Sequence, residues 1–259
     1  MKTKKIWGFL ALAACVLSMS FAAVSCGDDD DNNNNGGNSS VNGGAGNGTG
    51  GGAVISSLAG TYVAITSSEY TTTVTFSKNG TGVITENWKG SSYSGAHTDT
   101  DPFTYTISGQ TGTLSFGNDG GVSGSKTYNI RVVDGFVFIE EQDGDIDYIL
   151  YKQGQDLGTP NTSKLIGTWT FTNSSDNFVY TVKEAGKGHA VLDYQSGNNN
   201  DHDEFDFTYK MNNAYVGEYT YFDKEDGVTF TEILFVLNDK IYLCDGDGEV
   251  DTNDILTKK

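Results

Sequence analysis

The chain contains the segment Leu58-Ala59-Gly60-Thr61-Tyr62 (LAGTY) and, 107 residues later, the segment Leu165-Ile166-Gly167-Thr168-Trp169 (LIGTW). The likeness continues downstream at offsets of 104 to 106 residues in three further pairs: Gly80-Thr81-Gly82 with Gly186-Lys187-Gly188, Phe103-Thr104-Tyr105 with Phe207-Thr208-Tyr209, and Tyr148-Ile149-Leu150 with Asp254-Ile255-Leu256. Matches that persist along a chain at nearly one spacing indicate an internal duplication. The sequence therefore predicts two copies of one domain in tandem.

Within each copy, apolar residues alternate with polar residues. Phe103, Tyr105 and Ile107 show this pattern in the first copy, and Phe207 and Tyr209 show it in the second. A period of two predicts strands with one buried face, and turn signals rich in Gly, Asn and Asp separate the strands. The first copy is predicted to contain about eight strands: residues 60–66, 72–77, 82–87, 103–108, 112–116, 126–133, 136–141 and 147–152.

Eight consecutive antiparallel strands form an up-and-down meander, and closure of the meander into a barrel removes its exposed edges. A barrel of this size has room for packed side chains or for one small ligand. We therefore predict an all-β protein with two small antiparallel up-and-down barrels in tandem. The first domain is expected at residues 58–153 and the second at residues 165–259, joined by a linker at residues 154–164 that contains Pro160.

The Gly-Thr-aromatic sequence at the entry of each predicted meander resembles the Gly-x-Trp opening of lipocalins and of the shorter lipocalin-like domains of Bacteroidota lipoproteins. Trp169 matches the motif directly, and Tyr62 replaces the tryptophan in the first copy. The resemblance implies that these aromatic residues close one end of each barrel with help from a basic residue of the last strand. Lys152 and either Lys258 or Lys259 are the basic candidates.

The N-terminus has the three parts of a secretory signal. Three lysines precede residue 6, residues 6–24 are apolar or small, and small residues continue to Ser25. A membrane-spanning helix is the alternative, but the apolar run is barely long enough and no positively charged flank follows it. We therefore expect residues 1–25 to be a signal peptide that is removed.

Cys26 follows this segment directly. The small residues before it resemble the lipobox of bacterial lipoproteins, in which the cysteine is acylated (palmitate is a typical chain) and becomes the mature N-terminus. The acidic run after it resembles the export signal of surface lipoproteins in Bacteroidota-type Gram-negative bacteria: Asp28, Asp29, Asp30 and Asp31. Two or more acyl chains hold a protein durably on a membrane. The resemblance implies a lipid-anchored outer-membrane protein on the cell surface, with the periplasmic face as the alternative.

The remaining composition limits the classes of partner. Residues 26–57 consist largely of Gly, Asn, Asp and Ser, a composition that predicts a flexible tether without a core. The chain carries a net charge of −18, so nucleic acid is not an expected partner. Cys244 is the single cysteine of the predicted domains, which excludes an intramolecular disulfide there. It is expected to be a buried strand residue because no histidine lies near it in the sequence.

A histidine followed by acidic residues at alternate positions precedes the central strand of each copy. The two sets are His97, Asp99 and Asp101 in the first copy, and His202, Glu204 and Asp206 in the second. In an extended segment, alternate residues face the same way. Imidazole and carboxylate groups are ligands that Zn²⁺ or another divalent cation accepts. The sequence therefore predicts either a divalent-cation site or a solvated acidic loop in each copy, and no other cofactor.

A second acidic stretch, residues 245–251, has a superficial likeness to a calcium-binding loop. The register of that loop fails, because the position that requires glycine is Val250 and the position that requires glutamate is Leu256. We expect a simple acidic turn.

Aromatic residues are the other candidate ligand-binding groups of the chain. Trp88 and Tyr93 lie in a polar segment rich in Gly and Ser, where an exposed ring could stack on a sugar or another apolar face. Packing in the core or at the barrel rim is the alternative.

The sequence contains no Gly-x-Ser-x-Gly, no glycine-rich phosphate loop with a lysine, and no His-Glu-x-x-His. We therefore predict a non-catalytic envelope protein that captures a small molecule, a glycan or an envelope partner, and tandem copies would suit bivalent capture. The alternative is a structural or accessory subunit that uses its barrels as docking surfaces. Hollow barrels would favour capture, and filled barrels would favour docking. An enzyme would instead need converging acid and base groups with perturbed pKa values.

Overall fold

The structure is a computed structural model and describes residues 58–90, 95–117, 126–196, 199–224 and 226–259. In these ranges the chain forms sixteen strands and one short 3₁₀ helix, Thr252–Asp254. The strands close into two antiparallel eight-stranded barrels, barrel 1 and barrel 2. The predicted fold class is therefore confirmed. A helix with the length and apolar character needed to cross a membrane is not found in the described ranges.

Barrel 1 contains strands β1 to β8, each paired with the next, and β8 returns to β1. The strands are β1 Gly60–Ala64, β2 Tyr70–Phe76, β3 Thr81–Trp88, β4 His97–Ser108, β5 Thr111–Phe116, β6 Thr127–Val133, β7 Phe136–Glu140 and β8 Ile146–Lys152. The predicted strand ends agree within two residues, except at the start of β4. This strand begins six residues early because its pairing with β3 continues to Trp88, which lies opposite His97.

Barrel 2 repeats this order, and its last strand β16 pairs with its first strand β9. The strands are β9 Gly167–Thr172, β10 Asn177–Lys183, β11 Lys187–Ser196, β12 Asn199–Met211, β13 Val216–Asp223, β14 Val228–Leu237, β15 Lys240–Cys244 and β16 Ile255–Lys258. Closure leaves neither barrel with a long unpaired strand in the described ranges, which removes the edges at which sheets aggregate.

A glycine lies opposite a phenylalanine at the same place in both barrels. Gly82 pairs with Phe103 between β3 and β4, and Gly188 pairs with Phe207 between β11 and β12. A Cβ atom at Gly82 would lie 2.2 Å from Cζ of Phe103, and one at Gly188 would lie 2.0 Å from Cζ of Phe207. Each ring therefore lies directly over the glycine backbone, an arrangement that compensates for the missing side chain. This contact explains why the glycines recur in the duplicated sequence.

Each barrel is closed at the end where its first strand begins. Trp169 is buried there, and its indole Nε1 donates a hydrogen bond of 2.7 Å to the carbonyl of Leu165. The ammonium of Lys258, on the last strand, lies 5.2 Å from the centre of the Trp169 ring. In barrel 1, Tyr62 is buried at the equivalent position, and its partner on the last strand is Lys152.

The two barrels share an apolar interface, which we call the seam. Outward-facing side chains of β7 and β8 pack against outward-facing side chains of β14 and β15 in one continuous cluster. Its buried members are Ile65, Phe136, Phe138, Ile146, Ile149, Ile233, Phe235, Leu237, Tyr242, Cys244 and Val250. The centres of the Phe136 and Phe235 rings are 4.9 Å apart. Because this cluster is contributed by both barrels, they form one packed body.

Hydrogen bonds at the two edges of the seam fix how the barrels are aligned. Ile146 and Val250 exchange backbone hydrogen bonds of 2.9 and 2.8 Å. At the other edge, Nδ2 of Asn238 donates to Asp134, a carboxylate in the turn between β6 and β7. The first pair joins the open end of barrel 1 to the open end of barrel 2, and the second joins the two closed ends. Both open ends therefore face the same side of the molecule.

Candidate binding site at the barrel mouths

The interior of barrel 1 is filled by its inward-facing side chains. The centre of the Phe76 ring lies 5.5 Å from that of Tyr62, 5.4 Å from that of Phe103 and 5.0 Å from that of Tyr105, all edge to face. Leu114 is fully buried beside them. Because the interior is filled, any group of barrel 1 that binds a ligand must lie outside this core.

The interior of barrel 2 contains a small cavity of about 20 Å³. Leu165, Tyr180, Phe207 and Leu234 are among its apolar and aromatic lining residues. A space of this size has room for about one water molecule, so an organic ligand does not fit inside without movement of the core. Recognition by this barrel is therefore expected at its open end.

The open end of barrel 2, which we call mouth 2, is lined by half-buried apolar and aromatic side chains that pack on the core. They are Phe171, Phe178, Leu192, Phe205 and Tyr221, with Phe230 beside them. Phe205, Tyr221 and Phe230 come from the adjacent strands β12, β13 and β14 and form a stack. Their ring centres are 4.8 and 5.6 Å apart, and neighbouring rings are inclined by 28°. Stacked rings of this kind present an extended aromatic surface.

A carboxylate lies next to this stack. Glu232 follows Phe230 by two residues in β14 and is half-buried. Its two oxygens accept hydrogen bonds from the hydroxyl groups of Tyr219 and Tyr221, the latter at 3.1 Å. Burial and the charge of Glu232 raise the pKa of both tyrosines, so their hydroxyl groups remain protonated donors at neutral pH.

No ion pair within the described ranges involves Glu232. Burial raises the pKa of Tyr180 well above its ordinary value, and the charges of Asp254 and Glu232 add to this shift. Burial likewise raises the pKa of Tyr221, with Glu232, Asp223 and Asp254 as further causes. The charged groups that act on these tyrosines are therefore carboxylates. Mouth 2 combines an aromatic surface with a negative potential.

The open end of barrel 1, mouth 1, is also polar and aromatic. The hydroxyl of Tyr148 donates a hydrogen bond of 2.6 Å to Glu86. The Trp88 ring is half-buried at the rim, 6.4 Å from the Tyr70 ring and 5.3 Å from the His97 ring. The position of Trp88 thus agrees with rim packing and leaves part of the ring exposed, whereas Tyr93 lies outside the described residues.

The two predicted histidine sets lie on different faces of their strands: the first is on the same face as an inward-pointing residue, and the second points outward. In β4, Phe103 faces the interior, and His97, Asp99 and Asp101 lie at even distances from it, on the same side of the strand. In β12, Phe207 faces the interior. His202, Glu204 and Asp206 lie at odd distances from it and face outward. The sets are 105 residues apart whereas the phenylalanines are 104 apart, so the two sets do not occupy equivalent positions in the two barrels.

The contacts of the two sets also differ. Nε2 of His97 lies 3.3 Å from Asp99. Nδ1 of His202 lies 2.7 Å from Asp193, which raises the pKa of this exposed histidine. Glu204 and Asp206 instead contact His189, a residue of β11. His189 could not be predicted as their partner because its position opposite Asp206 depends on the register between β11 and β12.

His189 binds its two carboxylates through different ring nitrogens. Nε2 lies 3.1 Å from Glu204, and Nδ1 lies 2.9 Å from Asp206. The two nitrogens of an imidazole point away from each other, so these carboxylates do not share one point with the ring. Across the described part of the chain, no group of three or more His, Cys, Asp or Glu side chains is arranged to hold a metal ion.

Acidic residues gather where the seam meets the two mouths. Burial raises the pKa of Glu249 to about 7, although part of its side chain remains exposed. Surrounding carboxylates add to this shift: Asp247, Asp147, Asp245 and Asp251. The acidic turn expected at residues 245–251 is therefore also a contact with barrel 1, through the bridge between Val250 and Ile146.

Asp147 is the second carboxylate of this region with a raised pKa. It lies at an irregularity in the pairing of β7 with β8, where Glu140 is opposite Ile146. Burial raises its pKa to about 6, and the neighbouring Tyr128 and Lys126 act in the opposite direction. Both mouths and the junction between them are therefore predominantly acidic.

Cys26 and the acidic run Asp28 to Asp31 lie outside the described residues. Cys244 forms no disulfide with a described residue and is fully buried in the seam, as a structural cysteine would be. No known family model matches the sequence, and no curated protein sequence matches it.

Proposed function

We propose that the protein is a lipid-anchored, lipocalin-like envelope protein that acts by binding and not by catalysis. Cys26 would carry the acyl chains, Asp28 to Asp31 would direct the protein to the cell surface, and the barrels would recognise a ligand through their mouths. The binding role rests on the difference between the core of barrel 2 and its open end. Its core has room for about one water molecule, whereas half-buried aromatic rings and carboxylates line its open end.

The filled interiors favour recognition at the surface over enclosure of a ligand, which also supports the docking alternative. A docking role for the whole surface is the second candidate, because Phe222 and Val228 beside mouth 2 are 52% and 48% exposed. The structure limits the bivalent capture expected from the sequence to ligands of suitable length. Since the barrels share the seam and their open ends face one side, two ligand groups would have to match a fixed spacing between the mouths.

Binding at mouth 2 is tested by ligand-observed NMR of the purified full chain with a panel of oligosaccharides, fatty acids and alkylamines. At least one class is expected to bind, and the double variant Phe205→Ser, Tyr221→Ser is expected to weaken that binding at least tenfold. Thr220→Ser, on the outer face of the same strand, is the control and should bind as the wild type does. Equal binding of every class to all three proteins would contradict recognition at the mouth.

The anchor is tested in the same study by Cys26→Ser. This variant removes the acylated sulfur and is expected to move the protein from the membrane fraction to the soluble fraction. Retention of the variant in the membrane fraction would contradict anchoring through Cys26.

A further inference from the structure

The stack of mouth 2 ends at a ring with one face that no neighbouring strand covers. Phe230 stacks on Tyr221 of β13 on one side. On the other side, the pairing of β14 with β15 begins only at Ile233, opposite Cys244. Strand β15 therefore ends before it reaches the level of Phe230. Phe230 is half-buried, so part of its ring is exposed at the rim of the barrel, where a ligand can reach it.

The carboxylate of Glu232 lies beside this face, two residues away on the same side of β14. Each of its oxygens accepts one hydrogen bond, Oε2 from the hydroxyl of Tyr219 and Oε1 from the hydroxyl of Tyr221, and retains a further lone pair. These neutral donors satisfy lone pairs but leave the negative charge in place. The described residues provide no ion pair for Glu232, and a charged donor is a stronger partner for a carboxylate than a neutral hydroxyl group.

We propose that mouth 2 binds an alkylammonium group, which lies over Phe230 and is drawn to Glu232; this inference rests on the proposed function. Cations bind to the faces of aromatic rings, and an ammonium group also donates N–H bonds to a carboxylate. A sugar would use the same ring face but would not compensate the charge. The charge of Asp254, which is felt at Tyr180 and Tyr221, adds to the attraction for a cation.

The ammonium group can come from a free small amine or from a lysine side chain of a partner protein. The shared chemistry is a primary ammonium on a four-carbon chain. We would titrate the full chain with n-butylammonium, with its neutral isostere 1-butanol, and with an acetylated and amidated Gly-Lys-Gly peptide. Ligand-observed NMR at constant ionic strength would measure each dissociation constant. Binding of the peptide at least ten times tighter than n-butylammonium would assign a protein source, and equal or weaker binding would assign a free amine.

The site is expected to bind n-butylammonium with a dissociation constant on the order of 1 mM and to bind 1-butanol at least ten times more weakly. Glu232→Gln and Phe230→Leu should each weaken n-butylammonium binding at least fivefold. Glu218→Gln, which removes the same charge from the outer face of β13, should leave binding unchanged. Two variants are used because a loss of folding in one would show in its circular dichroism spectrum and leave the other informative.

Equal weakening in Glu232→Gln and Glu218→Gln would mean that the acidic protein attracts cations without a site, which overturns the inference. Equal binding of n-butylammonium and 1-butanol would also overturn it. If an oligosaccharide or fatty acid binds at mouth 2 and n-butylammonium does not, the alkylammonium inference fails while the proposed binding function stands. If no probe depends on the mouth residues, both fail.

Discussion

Glu249 shows how one side chain links the stability of the protein to pH. Its pKa of about 7 lies above its ordinary value of 4.5, mainly through burial. The folded protein therefore holds the proton more tightly than the unfolded chain does. The stabilisation is fully present below pH 4.5 and is lost as the pH rises through 7. Asp147, with a pKa of about 6, acts in the same direction over a lower range.

We predict that Glu249→Gln raises the melting temperature at pH 8 by about 2–6 °C and has a smaller effect at pH 5. The penalty removed comes mainly from burial of the charge and also from repulsion by the neighbouring carboxylates. It is worth about 1–2 kcal/mol after allowance for solvent screening of this exposed side chain. Thermal unfolding followed by circular dichroism between pH 4.5 and 8.5 measures the effect. Glu184→Gln, on an exposed turn, is the control. A constant difference between variant and wild type across this range would contradict the prediction.

Among single elements, β11 and β12 depend on the contact between Gly188 and Phe207. We predict that Gly188→Ala destabilises the protein by about 2–4 kcal/mol, because its Cβ would overlap the ring and force the core to shift. Phe207→Leu should restore part of this loss in the double variant, since the two changes act at one contact. Urea denaturation of the full chain measures these changes.

Gly117→Ala is the control for the glycine substitution, because a Cβ at Gly117 meets no atom of a described residue within 4 Å. It should alter the free energy of unfolding by less than about 0.5 kcal/mol. Additive effects of Gly188→Ala and Phe207→Leu would show that the ring and the glycine do not interact.

The strands could be predicted from sequence because alternation and turn signals are local properties. The facing of the histidine sets could also have been read from the sequence, since His97 is six residues and His202 five residues from the matching phenylalanine. The extended start of β4 depends on pairing with β3 and is not a local property. The partial exposure of Phe230 at the rim was missed for a similar reason. In β14 both faces carry apolar residues, because one face fills the barrel and the other fills the seam, so alternation does not distinguish them.

At the scale of the whole molecule, the seam makes the two barrels dependent on each other. Phe235 is fully buried there, with ring centres of Phe136, Phe138 and Tyr242 at 4.9, 6.3 and 5.6 Å. Separation of the barrels would expose this cluster to water at about 25 cal/mol for each Å² of apolar surface. We therefore expect the barrels to unfold together.

We predict one calorimetric transition for the wild type, with equal calorimetric and van't Hoff enthalpies. Phe235→Ala should cost about 3–5 kcal/mol and destabilise both barrels. Phe222→Ala is the matched control, because Phe222 is 52% exposed and its loss should cost less than about 1 kcal/mol. Two separate transitions in the wild type would show that the seam does not couple the barrels.

The hydrogen bonds at the edges of the seam join residues that are 104 positions apart, Asp134 with Asn238 and Ile146 with Val250. This spacing is one of the offsets between matching segments of the two copies, so each copy meets its own counterpart here, as protomers do across the two-fold axis of an isologous dimer. Fusion of two such barrels in one chain makes their association independent of protein concentration and allows the two mouths to diverge in sequence.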